Sequence, residues 1–184
     1  MADRTGPLSI LAIGGSRRPD NNTDKALRIA VEELEAGGAE VEWVRVGELR
    51  LLLPGEAGES EDPGRLQEKV LAADGILIAT PEYHGSISST LKLVIDNLGF
   101  PTTLEEKIIA ILGVAMGDDG ARRALDHLRQ ILTYIGGRVL PVEASVASVH
   151  KKFDEAGRCL DPGDESAIRA VARGLLDHLS GQSG

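Results

Sequence analysis

Short apolar segments alternate with helical segments along this chain of 184 residues. Strand signals lie at residues 8–13, 42–46, 76–80, 108–114 and 138–142. The segments with helical periodicity lie at residues 24–36, 64–73, 86–98, 120–135 and 165–180. Such alternation is typical of βαβ units, in which right-handed crossovers build a parallel sheet with helices on both faces. The pattern therefore predicts an α/β fold.

The number of strands narrows this fold class further. Five strands predict a flavodoxin-like three-layer α/β/α sandwich, with a five-stranded parallel sheet in the order 2-1-3-4-5. In that topology a ligand binds beyond the carboxyl ends of the strands, near the switch between strands 1 and 3. The first strand is a continuous apolar run, as expected for a strand buried on both faces. We therefore expect functional residues in the loops that follow strands 1 and 3.

The loop after strand 1 has the composition of a phosphate site. Gly14 and Gly15 allow the backbone to turn sharply, and hydroxyl, guanidinium and amide donors follow at Ser16, Arg18, Asn22 and Thr23. The next helix begins here, and its free N–H groups and dipole favour an anion. Neither G-x-x-x-x-G-K-[ST] nor G-x-G-x-x-G is present, so we expect a monophosphate, with FMN as the leading candidate. The alternative is a tight turn in which residues 22–23 only cap the helix.

Charge and cysteine content exclude several classes of function. The formal net charge is -9, whereas nucleic-acid and anionic-membrane surfaces are built from clustered Lys and Arg. We therefore expect the protein to bind neither nucleic acid nor a membrane. The one cysteine, Cys159, excludes an internal disulfide, a C-x-x-C pair and a cysteine-ligated cluster. The histidines outside the loops, His127, His150 and His178, lack metal-ligand spacing, so no metal site is predicted.

The length suits one domain. We expect residues 1–184 to form a single flavodoxin-like FMN-binding domain, with short flexible ends at about residues 1–6 and 180–184. Residues 1–7 carry no apolar signal segment, and no apolar run of about 18 residues occurs. We therefore expect a cytoplasmic protein.

The loop after strand 3 carries a specific motif. Residues 80–97 are TPEYHGSISSTLKLVIDN, and the first loop contains GSRR at 15–18 and NT at 22–23. Together these segments resemble the NADPH-dependent FMN reductase family, whose members carry P-E-Y-[NH]-G-S followed by L-K-x-x-[IL]-D. The resemblance extends over nearly the whole chain. It implies that Ser16, Arg18, Asn22 and Thr23 hold the FMN phosphate.

The resemblance also implies which residues border the isoalloxazine ring: Pro81, Glu82, Tyr83, His84, Gly85 and Ser86. The structural alternative is that Pro81 and Gly85 only shape a turn and that Ser86 caps the following helix. We expect His84 to position the ring rather than to act as an acid or base, because hydride transfer to flavin needs no proton donor in its first step. No catalytic side chain is therefore predicted.

A third loop, residues 113–121, follows strand 4 at the same edge of the sheet. Met116 and Gly117 are expected to cover the ring or the nicotinamide cleft. The alternative is a helix start capped by Asp118 or Asp119. The two acids also add negative charge near the cleft, so the sequence leaves the choice between NADPH and NADH open.

The resemblance implies an NAD(P)H-dependent oxidoreductase that uses FMN, with NADPH or NADH as electron donor. It would pass electrons in a ping-pong sequence to free flavin, a quinone, an azo dye, chromate or another small acceptor. The family also implies a homodimer or a dimer of dimers, with segments 86–98 and 121–135 at the interface. Two alternatives stay open: a noncatalytic FMN electron carrier or flavin-dependent redox sensor, and a family member that binds no flavin.

Overall fold

The computed structural model describes residues 6–181, so most of the two ends predicted to be flexible, residues 1–5 and 182–184, lie outside the described part. The strands are β1 (Ser9–Gly14), β2 (Glu40–Arg45), β3 (Gly75–Pro81), β4 (Ile108–Val114) and β5 (Arg138–Val146). The helices are α1 (Asn22–Ala36), α2 (Asp62–Ala72), α3 (Ser89–Asp96), α4 (Arg122–Tyr134) and α5 (Pro162–Leu179). Short 3-10 turns occupy Val46–Glu48 and Val149–Lys151.

The sheet has the order β2-β1-β3-β4-β5, and every neighbouring pair of strands is parallel. The predicted fold class, topology and strand order are therefore confirmed. Strand β4 has the predicted bounds, whereas β5 runs four residues beyond its predicted end at residue 142. Helix α3 begins at Ser89 rather than at the predicted residue 86.

The central strands β1, β3 and β4 are buried on both faces, as their continuous apolar runs predict. Along β1, Ile10 and Ala12 pack with residues of α1 and α5. The alternate residues, Leu11 and Ile13, pack with residues of α2, α3 and α4. Successive side chains of a strand point to opposite faces, so one short strand anchors both helical layers. This double burial fixes the carboxyl ends of β1, β3 and β4 beside one another.

A lysine caps the carboxyl end of α2. The ammonium of Lys107, just before β4, donates to the carbonyl oxygens of Leu71 at 2.8 Å and Ala73 at 2.7 Å. Burial lowers the pKa of Lys107, although the charge of Asp74 opposes this effect. The lysine satisfies carbonyls at the helix end that have no partner within the helix.

We expect Lys107→Met to lower the free energy of unfolding by about 1–2 kcal/mol, because both carbonyls lose a charged donor while the apolar stem is kept. Urea unfolding measures the change. Lys151→Met is the matched control, since Lys151 is exposed and its ammonium has no partner within residues 6–181. Equal losses in the two variants would contradict the capping role.

Candidate functional site

A cavity of about 200 Å³ lies beyond the carboxyl ends of β1, β3 and β4. It is bounded by the loop after β1, the loop after β3, the start of the loop after β4 and the turn after β5. Most of the predicted site residues line it: Ser16, Arg18, Asn22, Thr23, Pro81, Glu82, Tyr83 and Met116. The structure thus brings together residues that are predicted to bind the phosphate and the ring and that are far apart in the sequence.

The first helical turn of α1 forms one wall of this cavity. The cap of the helix is Asn21, whose Oδ1 accepts from the Asp24 amide at 2.8 Å. Its Nδ2 donates to the Arg18 carbonyl at 2.7 Å and so holds the loop against the helix. The alternative in which residues 22–23 cap the helix is therefore wrong. The amides of Asn22 and Thr23 have no partner within residues 6–181 and are free to bind a ligand.

Two buried hydroxyls face the same space. Thr23 is 2% exposed and Ser16 is 8% exposed. Within the described residues the Thr23 hydroxyl makes no hydrogen bond, and Ser16 Oγ only accepts from the Arg18 amide at 3.3 Å. Both residues line the cavity, so the unused hydrogen-bonding capacity of their hydroxyls can serve a ligand there. With the Arg18 guanidinium and the two amides, the donors fit a phosphate monoester.

The two glycines of this loop provide space rather than a special backbone angle. Neither Gly14 nor Gly15 has a positive φ, so neither position needs glycine for its backbone angle. A Cβ on Gly15 would lie 2.8 Å from the carbonyl oxygen of Ala79 on β3, and one on Gly14 would lie 2.6 Å from Asp24 Oδ1. The loop therefore packs directly against β3 and α1 at these positions.

The loop after β3 is a two-residue hairpin turn. The amides of Tyr83 and Ser86 each donate to the other's carbonyl, at 2.9 and 3.1 Å. His84 and Gly85 between them have φ of +51° and +75°. Such turns need left-handed backbone at both central residues, which Gly and Asn adopt readily. This explains physically why the family motif has Asn or His before Gly, and it supports the turn-shaping reading of Gly85.

The turn presents Tyr83 to the cavity. This side chain is 41% exposed, and the Arg18 guanidinium lies 5.7 Å from the centre of its ring. A wider cleft of about 640 Å³ on the other side of this pair is lined by Arg18, Glu82, Tyr83, His84, Ile87 and Ser89. Gly85, Ser86 and Gly117 line neither space, and their contact with the ring stays a prediction.

Two predicted helix caps are wrong. The cap of α3 is Ser88 rather than Ser86, because Ser88 Oγ accepts from the Leu91 amide at 3.0 Å and donates to the Gly15 carbonyl at 2.5 Å. Helix α4 has no aspartate cap. Instead, Ser145 Oγ accepts from the Ala121 amide at 2.8 Å. The carboxylate of Glu82 accepts from the Ala124 amide at 3.1 Å.

The loop after β4 forms the opposite wall. Met116 is 64% exposed and lines the cavity. The carbonyl of Gly117 accepts from the Ser148 amide at 3.0 Å, and Asp118 accepts from the Ser148 hydroxyl. Val149 in the turn after β5 completes the wall. Sequence analysis missed Val149, for which no motif gave a signal, and Asn21, which a search for capping residues before α1 would have found.

Burial raises the pKa of the Asp24 carboxyl in the first turn of α1. The hydrogen bond with Asn21 and the charges of Arg45 and Arg28 act in the opposite direction but do not outweigh burial. Because the folded-state pKa is raised, ionisation of Asp24 costs free energy as the pH rises through the interval between its unfolded and folded pKa values. This cost is fully present once the pH exceeds the folded-state pKa.

We expect Asp24→Asn to raise the free energy of unfolding at pH about 7, and to lose this advantage at acidic pH where Asp24 is protonated. The variant also removes a negative charge next to the phosphate donors, so we expect FMN to bind more tightly. Urea unfolding and FMN titration measure the two effects. Asp177→Asn, at an exposed position of α5, is the control. Weaker FMN binding in Asp24→Asn would contradict this account.

Within residues 6–181, no group of three or more His, Cys, Asp or Glu side chains is arranged to hold a metal ion. Among the helices of that part of the chain, none combines the length and apolar character needed to cross a membrane.

The strand order, with a cavity beyond the carboxyl ends of β1 and β3, is that of a flavodoxin-like fold, in which ligands bind at this switch point. The sequence profile described as NADPH-dependent FMN reductase matches residues 8–151. The chain belongs to this family, which confirms the predicted resemblance. At the level of the family, the predicted class of oxidoreductase and the predicted cofactors, FMN with NAD(P)H, are confirmed as well.

Individual relatives agree with this assignment. A Pseudomonas aeruginosa protein named NAD(P)H-dependent FMN reductase is 33% identical over 173 residues, covering 91% of this chain and 93% of the relative. A Bacillus sp. protein named NADPH azoreductase is 27% identical over 174 residues, with coverage of 94% and 93%. The solved structure of FerB from Paracoccus denitrificans, a flavoenzyme NAD(P)H:(acceptor) oxidoreductase, aligns with a TM-score of 0.78 at 21% identity, covering 95% and 98% of the two chains. This last likeness shows the fold alone.

Proposed function

We propose that the chain is a single-domain reductase that binds FMN noncovalently. It takes hydride from NADPH or NADH and passes electrons to a small acceptor in a ping-pong sequence. The observation that carries the proposal is the pair of buried hydroxyls, Ser16 and Thr23, which lack full hydrogen bonding and face a cavity that also holds Arg18. Such a donor set matches a phosphate monoester.

The remaining cavity residues suit a planar ring next to that phosphate. Tyr83 and Met116 stand on opposite walls, one aromatic and one flexible and polarisable. FMN supplies the electron-transfer chemistry when bound, and the chain supplies binding, orientation and exclusion of water. In this scheme Ser16, Arg18, Asn22 and Thr23 hold the phosphate. The backbone of the Tyr83 turn lies beside the ring.

The open cleft beside Tyr83 supports acceptors that reach the ring from solvent. A relative named NADPH azoreductase supports a planar acceptor, and we propose free flavin, quinones and azo compounds as the class. The electron donor is proposed as NADPH or NADH. Asp118, Asp119, Arg122 and Arg123 line a separate cavity after β4 that carries charges of both signs, so the two donors need direct comparison.

The proposed oligomer is a dimer or a dimer of dimers that uses α3 and α4. Between these helices lies a mainly apolar groove of about 450 Å³ that includes Ile95, Ile131 and Tyr134, the last being 91% exposed. Large exposed apolar side chains are typical of protein interfaces. Sedimentation velocity tests the dimer, and Tyr134→Glu should dissociate it. The proposed location is the cytoplasm, which the low cysteine content supports.

The decisive experiment is an anaerobic visible spectrum of FMN-reconstituted, desalted protein before and after addition of NADPH or, separately, NADH. Bleaching of retained flavin would support the reductase and identify its donor. Retained flavin that neither nucleotide reduces would favour the alternative of an electron carrier or redox sensor. Loss of flavin on desalting would call for an equilibrium titration, and absence of binding there would contradict the proposal.

A further inference from the structure

We propose that helix α4 positions the ring-binding wall of the site and that Glu82 is the residue through which it acts. Glu82 would then be a positioning residue, which affects the ring by holding the Tyr83 turn in place. This inference rests on the proposed function, because it assumes that the Tyr83 turn borders the FMN ring. The family motif alone places Glu82 among the residues that contact the ring, whereas this inference makes it a residue that positions the Tyr83 turn.

The first observation is the pairing of Glu82 with the start of α4. The Glu82 amide donates to the Val114 carbonyl at 2.8 Å, which fixes the backbone before the turn. Its carboxylate accepts from the Ala124 amide at 3.1 Å. The first backbone hydrogen bond of the helix is the one from Leu125 to Ala121, at 2.9 Å. The Ala124 amide therefore has no acceptor other than Glu82 within residues 6–181.

The electrostatics of this contact are favourable without a basic partner. The cap position of α4, Ala121, has no side chain that can accept a hydrogen bond. A carboxylate near a helix N-terminus is stabilised by the free N–H groups and the helix dipole. Within the described residues Glu82 forms no ion pair. Its charge is thus balanced by α4 itself, and it borders both the cavity and the wider cleft.

The second observation is that the other end of the turn is held by the same helix. Ser86 Oγ lies 3.1 Å from Nδ1 of His127, one helical turn beyond Ala124. At the tip of the turn, a Cβ on Gly85 would lie 3.4 Å from Cδ of Arg123. The Tyr83 turn therefore lies along the first turns of α4 and is attached at both of its ends.

Helix α4 is also continuous with the loop that carries Met116 on the opposite wall. Both walls of the cavity thus adjoin the start of the same helix. Loss of the Glu82 contact would free the Tyr83 wall while leaving the Met116 wall in place. The result would be a wider ring site and an unchanged phosphate site.

The test compares Glu82→Ala with Glu82→Gln, whose side-chain oxygen still accepts from the Ala124 amide. Glu68→Ala, at an exposed position of α2, is the matched control. In the protein without FMN, we expect Glu82→Ala to increase the hydrogen-exchange rate of the Ala124 amide by about tenfold, because that amide loses its acceptor. Glu82→Gln should keep most of the protection.

With FMN, we expect Glu82→Ala to weaken binding by about tenfold and Glu82→Gln to restore most of this loss. Because Glu82 acts through the Tyr83 turn, Glu82→Ala should also shift the midpoint potential of bound flavin, whereas Glu82→Gln should restore it. A merely structural role of Glu82 would leave the potential of the bound flavin unchanged in both variants. When His127→Ala is combined with Glu82→Ala, we expect a further, smaller loss of FMN affinity.

The outcomes separate this inference from the proposed function. Unchanged exchange of the Ala124 amide in Glu82→Ala would overturn the docking contact, whether or not FMN binds. Equal loss of FMN affinity in the alanine and glutamine variants would overturn the positioning role and indicate direct contact with the ring. Failure of the unmodified protein to bind FMN would overturn the proposed function, while the exchange experiment would still test the contact.

Discussion

Arg18→Ala is expected to weaken FMN binding roughly 10- to 150-fold, the range that corresponds to loss of a charged hydrogen-bond donor to an anion. Arg18 lines the cavity together with Ser16 and Thr23, whose buried hydroxyls hold too few partners. It is the one guanidinium in that lining, so no other side chain there supplies the same charge. Titration of the FMN-free protein with FMN, followed by flavin fluorescence at fixed salt, measures the effect.

Two control variants sharpen this result. Arg17→Ala removes the neighbouring arginine, which is exposed and does not line the cavity. Arg50→Ala removes an exposed arginine far along the chain. Both should change FMN affinity little if binding depends on direct contact. A loss in Arg17→Ala as large as that in Arg18→Ala would instead indicate a diffuse electrostatic attraction, and the assignment of Arg18 to the phosphate would be wrong.

Arg18 also lies against the ring of Tyr83, so the variant removes a second contact. Tyr83→Leu tests that part separately, since it removes the aromatic face and leaves the guanidinium. We expect this variant to change binding less than Arg18→Ala does, because exposed cation–π contacts contribute about 0.5–1 kcal/mol. Arg18→Lys should recover only part of the affinity, because a lysine keeps the charge but loses the forked donor geometry.

The sheet was predictable because its strands are short, apolar and separated by helices. Burial on both faces makes each of the central strands β1, β3 and β4 a continuous apolar run, and in β3 every residue is buried. The start of α3 was not predictable in the same way. Ser86, Ser88 and Ser89 are all suitable residues for a helix start, and local sequence does not rank them. Contact of Ser88 with the Gly15 carbonyl, which is distant in sequence, decides between them.

The candidate site likewise has features that follow from local sequence and features that depend on contacts between distant residues. The phosphate donors follow from one local segment, since a strand, a glycine pair, a run of donors and a helix lie in sequence order. The role of Glu82 depends on the Ala124 amide, 42 residues away, and no local pattern indicates it. Val149 reaches the cavity from the turn after β5 and belongs to no motif. Contacts between separate loops are thus the part of this site that sequence patterns leave undetermined.

Gly15→Ala is expected to lower the free energy of unfolding by about 3 kcal/mol, at the upper end of the range for overpacking a buried position. The added Cβ would lie 2.8 Å from the Ala79 carbonyl oxygen and 3.2 Å from Leu91 Cβ. Moving away would lengthen the hydrogen bond from the Gly15 amide to Ala79, now 2.8 Å. Urea unfolding of the FMN-free protein measures this loss.

Gly64→Ala is the matched control, because it lies in α2 with no atom within 4 Å of the added Cβ. We expect that variant to be unchanged or slightly more stable, as alanine favours helix over glycine. FMN binding to the Gly15→Ala variant then distinguishes two roles of Gly15: packing against β3, or making room for the ligand. If Gly15 serves packing, the displaced loop carries Ser16 with it and affinity falls together with stability. Weaker FMN binding at unchanged stability would mean instead that Gly15 makes room for the ligand, and that the contact with β3 is not what requires a glycine here.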